Sequence, residues 1–133
     1  MTEPQQPAPD RMRTHPDLRF ATPQHAFDLA AEADALLREP HLGDPGHRQK
    51  TLYKHAAQTV SLFIFEPGAG LRSHRAKGDV SIHLLRGHLR VTAGGVPHDL
   101  HAGHLLLLAP GIEHDLHAVE QSHMLLTVHL TDA

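Results

Sequence analysis

GAGLRSHRAKGDVSIHLLRG at residues 68–87 and GHLLLLAPGIEH at residues 103–114 decide how this chain is read. Each sets a histidine, His74 or His114, at a fixed distance from glycines within strand-like sequence. In the first stretch Asp79, Ser81 and His83 alternate with Val80, Ile82 and Leu84. That two-residue period marks a strand with one polar and one apolar face. Further short strands are predicted on both sides, at 49–55, 60–66, 88–92, 96–100, 104–108, 114–119 and 123–130. Turn residues separate them: Gly68 to Gly70, Gly87, Gly94 with Gly95, Gly103, and Pro110 with Gly111. Gly94 and Gly95 can supply positive φ for a tight hairpin, and Gly87 marks a joint between two strands. Many short strands at regular spacing, with no strand–helix alternation, predict an all-β sandwich or barrel rather than a parallel sheet.

Ahead of the strands lies one helical pattern. Thr22 reads as the N-cap and Pro23 as the first helical residue. Phe27, Ala30, Ala33 and Leu37 recur at helical spacing, and Pro40 stops the helix near Arg38 or Glu39. Residues 1–19 are Pro-, Gln- and charge-rich and read as a disordered or loosely ordered tail. Residues 20–46 form the helix and a turn-rich connector (HLGDPG at 41–46), and residues 47–133 the β domain.

Bulk composition narrows the chemistry. With 133 residues the chain makes one domain. It has no Trp and only 4% aromatic residues, so the core must come from Leu, Val, Ile and Ala. The formal net charge of −3 and the lack of a basic stripe give no reason to expect nucleic acid. The absence of Cys removes disulfides, thiolate catalysis and thiolate zinc sites. It fits a cytoplasmic protein, as does an N-terminus without an apolar leader. No apolar run is long enough to span a bilayer as a helix. Fifteen His are unusual. Abundance alone makes no metal site, which needs converging ligands. Outside the two stretches, His is expected at exposed strand and loop positions.

The two stretches resemble the paired motifs of the cupins, the RmlC-like jelly-roll family. The first family motif runs Gly, five residues, His, one, His, three or four, Glu, six, Gly. This chain gives Gly68, His74, Ala76, Val80 and Gly87 at those intervals. The second motif runs Gly, five residues, Pro, one, Gly, two, His, three, Asn, and here reads Gly103, Ala109, Gly111, His114 and Ala118, with Pro110 one place late. The resemblance implies a jelly-roll barrel with one N-terminal helix, of the kind found in small single-domain bacterial cupins. It also implies a homodimer and a cavity for a small molecule.

The resemblance further implies a divalent metal (Zn, Fe, Ni, Mn or Cu), with His74 and His114 on neighbouring strands facing inward as its ligands. The other two ligand positions carry Ala76 and Val80, and two imidazoles alone make a poor site. Asp79 and His83 are candidates to complete it. If Val80 keeps the family's register, Val80, Ile82 and Leu84 line the cavity and Asp79 and His83 face away. A slip or bulge at Gly78 would reverse this. His117, three residues past His114, falls on the opposite face. Two functions follow: a binding module for a small molecule with a weakly held metal, or a metal-dependent oxygenase or isomerase with a rearranged ligand set. Nucleophile elbows, P-loops and zinc-helix motifs are missing.

Overall fold

The computed structural model describes residues 13–40 and 46–131. Residues 1–12 of the expected tail and 41–45 of the connector lie outside them. Two helices, α1 (Pro16–Arg19) and α2 (Leu29–Arg38), precede the strands β1 (His47–His55), β2 (Gln58–Phe65), β3 (Gly70–His74), β4 (Gly78–Arg86) and β5 (His88–Ala93). The chain continues through β6 (Val96–His101), β7 (Leu105–Leu108), β8 (His114–Ala118) and β9 (Ser122–Leu130). They pair antiparallel into a five-stranded sheet ordered β1-β2-β9-β4-β7 and a four-stranded sheet ordered β3-β8-β5-β6. This is the expected all-β jelly roll with a helix before it.

Alternation of side chains builds the core between the sheets. Phe63, Phe65, Val80, Ile82, Leu84 and Met124 project from the larger sheet and meet Leu89, Val91, Leu116 and Ala118 from the smaller. Leu62, Ile64, Leu85 and Leu125 alternate with the core residues, so they emerge on the other face of the large sheet. There they pack under Ala33 and Leu36 of α2. Burying an aliphatic side chain of this size is worth about 1.5–3 kcal/mol. The second layer therefore anchors the helix as well as shielding the sheet. Lys50 adds an ion pair to Glu32 at 2.9 Å. The Arg48 guanidinium donates to the carbonyls of Leu36 and Glu39 at the C-terminal end of α2.

The helix begins later than its sequence predicts. Asp28, not Thr22, is the N-cap, its carboxylate accepting from the Ala31 amide at 3.1 Å. Thr22 instead closes a local turn with Gln24 and His25, and the His25 ring packs 5.1 Å from Tyr53. That local turn and ring contact hold residues 22–25 out of the helix, and Asp28 is the next residue able to cap. Residues 13–19, read as tail, are attached to the barrel. Arg13 pairs with Glu39 at 2.7 Å, and Arg19 donates to the Thr51 carbonyl at 2.9 Å.

Gly94 and Gly95 have φ of 56° and 82° and close the β5–β6 hairpin between Ala93 and Val96. Gly78 does not produce a slip. It pairs in register with Leu130, and a Cβ there would lie 2.1 Å from the His129 carbonyl oxygen. Glycine at 78 thus permits the close approach of β4 to β9.

Candidate functional site

His74 ends β3 and His114 begins β8, and the two are direct cross-strand partners. β3 is short and polar and carries no separate strand signal in the sequence. Its pairing with β8 contains an irregularity: Leu71 opposes Leu116, yet His74 opposes His114. Three steps along β3 match two along β8. Without that extra residue Ser73 would face the interior beside His114. The bulge instead brings His74 to that side and turns Ser73 outward, where its hydroxyl donates to Glu113.

The imidazoles lie with ring centroids 4.2 Å apart at an angle of 59°. His114 is 3% exposed, whereas His74 is open to solvent. Each Nδ1 sits 2.9 Å from a backbone carbonyl, Arg72 for His74 and Ile112 for His114. A carbonyl only accepts, so each Nδ1 carries the proton and each Nε2 presents a free lone pair. Metal-binding histidines are commonly oriented in this way by the hydrogen bond at their other nitrogen. The donor set therefore suits two-point coordination of a divalent ion, or donation from a ligand hydroxyl.

The remaining cupin ligand positions stay apolar. Val80 is 4% exposed within the core, and Ala76 packs against the same cluster. The two registers left open by the sequence resolve in favour of Val80. Asp79, Ser81 and His83 occupy the opposite face of β4, with Asp79 beside His129 and His83 between Leu125 and Leu105. Asp79 and His83 thus cannot complete a site with His74 and His114. Among the described residues no group of three or more His, Asp or Glu is placed to hold a metal ion.

Beside the pair, on the outer face of the small sheet, lies an open cleft of about 550 Å³ lined by Ser73, Arg75, Thr92, Glu113 and Asp115. Arg75 and Glu113 form an exposed ion pair at 2.8 Å. The Ser73 hydroxyl and then the Arg75 guanidinium hold the Glu113 carboxyl below its usual range. His117 is exposed, as alternation predicts, and His104 lies exposed before β7, accepting from the His101 amide. His123 departs from the expectation of exposed histidines: it is 8% exposed, on the face of the large sheet that α2 covers. Only the register of β9 beneath a helix reveals that placement.

Comparison with solved structures supports the fold. A conserved protein of unknown function from Streptococcus pyogenes matches with a TM-score of 0.67 at 24% identity, over 82% of this chain and 90% of that one. An RmlC-like cupin from Shewanella frigidimarina matches with a TM-score of 0.63 at 18% identity, over 66% and 79%. Salicylate 1,2-dioxygenase from Pseudoaminobacter salicylatoxidans matches with a TM-score of 0.60 at 14% identity, over 76% of this chain but 29% of the enzyme. No curated protein matches the sequence significantly. The family model of the cupin domain aligns with residues 61–129, from β2 through β9, so the chain belongs to the cupin-domain family.

Proposed function

We propose that this cupin is a binding module that captures a small molecule through His74 and His114, with a divalent metal held weakly by the same two imidazoles. One observation carries the reading: in two imidazoles whose ring centroids are 4.2 Å apart, both Nδ1–H groups are committed to backbone carbonyls, which leaves each Nε2 as the donor atom. A bound metal would supply a Lewis acid for a ligand oxygen. The protein's part is to fix the imidazole tautomers, to keep His114 dry, and to leave His74 open for exchange. Ala76 and Val80 supply no charge, so an ion gains only two neutral ligands and is held less tightly than at a site with three or four. An oxygenase or isomerase using Asp79 or His83 finds no support, because both lie across the sheet from the pair.

The test is metal analysis of protein purified without a polyhistidine tag or nickel column, then reconstituted. Stoichiometric or near-stoichiometric uptake is expected. His74→Ala and His114→Ala should each abolish it, and His98→Ala on edge strand β6 should not. Uptake below about a tenth of an equivalent, with no gain on reconstitution, would overturn the metal part of the reading.

The reading includes a cytoplasmic location and a homodimer. For the dimer we infer a second copy on the outward face of β7. This edge strand exposes Leu105 and Leu107 at 57% and 67%. Clustered exposed leucines on a sheet edge favour self-association.

A further inference from the structure

Under α2, on the face of the large sheet away from His74 and His114, a cleft of about 320 Å³ is lined by Leu29, Ala30, Ala33, Asp34, Leu85, Arg86 and His123. That volume is at the small end of ligand pockets. Its walls come from three elements: α2, the end of β4 and the start of β9. His123 is more than nine-tenths buried, and its Nε2 has no hydrogen-bond partner. A buried polar atom left unpaired costs about 1–3 kcal/mol, so it needs an explanation. Burial, and then the nearby Arg86 charge, lower the His123 pKa, whereas Asp34 and Glu66 act in the opposite sense. Both Arg86 and Asp34 are thus close enough for their fields to reach His123. Among the described residues they nevertheless form no ion pair with each other. The cleft presents a cation and an anion around a floor of Leu29, Ala30, Ala33 and Leu85, with the His123 ring in its wall and the ring's Nε2 out of contact with solvent.

We infer that this cleft is a second binding site, for a small zwitterion with an apolar side chain, the chemistry of an aliphatic α-amino acid. The ligand carboxylate takes Arg86, and the His123 imidazole supplies a hydrogen bond as a small shift of the ring exposes Nε2. The ammonium takes Asp34, and the side chain lies along Leu29, Ala33 and Leu85. Each polar group of the lining then gains a partner of opposite charge or matching hydrogen-bond character. A carboxylate alone would leave Asp34 facing an anion, and an amine alone would leave Arg86 facing a cation. The site lies across the large sheet from the His74–His114 pair and does not depend on it.

The test uses the full chain, with methyl and imidazole NMR titrations of three probes: L-leucine, 4-methylpentanoate and 3-methylbutylamine. Saturable shifts at Leu29, Leu85 and His123 are expected with leucine. Each single-charge analogue should bind at least about tenfold more weakly, the usual worth of a charge-assisted hydrogen bond. Arg86→Gln and Asp34→Asn, both at exposed positions, should each weaken leucine binding about tenfold. They should leave the sheet amide spectrum intact. The inference is overturned if leucine gives no saturable shift, if 4-methylpentanoate binds equally well, or if neither variant changes the titration. Because Arg86 and Asp34 are exposed, neither substitution disturbs the core, and the parent and both variants can be compared as folded proteins.

Discussion

At the residue scale, two positions hold the largest consequences. Gly78 lies with its Cα against the β9 backbone, and Gly78→Ala would place a carbon 2.1 Å from a carbonyl oxygen that cannot move without parting the sheet. A loss of about 3 kcal/mol is expected, read as a lower urea midpoint with an unchanged slope. Ala76 and Val80 stand where the family motif carries His and Glu. The double substitution Ala76→His with Val80→Glu should raise divalent-metal affinity about a hundredfold or more by calorimetry. It should also destabilise the metal-free protein, because a carboxylate at a 4% exposed core position has no cation to meet. The family resemblance was enough to place His74 and His114 on neighbouring strands and to turn Val80 toward the core. The tautomers were not legible, because they depend on carbonyls that only the folded β3 and β8 bring near. Nor was the orphaned Nε2 of His123, which no local pattern distinguishes from its exposed neighbours.

At the element scale, α2 closes the outer face of the large sheet directly over His123. The imidazole is held below its ordinary value, first by burial and then by Arg86, with Asp34 and Glu66 opposing. The native state therefore resists protonation while the unfolded chain accepts a proton near pH 6.5. Stability attributable to this group is present above that pH and falls as pH drops through it. Thermal melts from about pH 7.5 to 5 should show His123→Phe losing less stability than the parent protein. An equal loss in both would show that other groups set the slope. Most strand positions were legible because period-two alternation is local. The start of α2 was misplaced because Thr22 and Asp28 are both competent caps, and a contact between His25 and distant Tyr53 decides between them. β3 was missed because its five residues, GLRSH, carry too little alternation to register.

At the scale of the whole molecule, the cupin architecture was legible from two spaced motifs, while its surfaces were not. Which leucines stay uncovered depends on where α2 stops, and α2 leaves Leu105 and Leu107 exposed. Leu107→Asp should convert a dimer into a monomer by light scattering without changing the melting temperature of the isolated subunit. A monomeric parent protein would remove that assembly. The sheet order carries a further consequence. β9 follows every other strand in the chain, yet it lies between β2 and β4 in the middle of the five-stranded sheet. Until it inserts, the β1–β2 hairpin and the β4–β7 pair are separate half-sheets with raw edges. Inter-sheet packing waits on that closing step, as does the contribution of Leu125 to the layer under α2. Such long-range pairing is slow and leaves sticky intermediates. The time the chain spends vulnerable to aggregation is therefore set by its last strand, which works as the keystone of assembly.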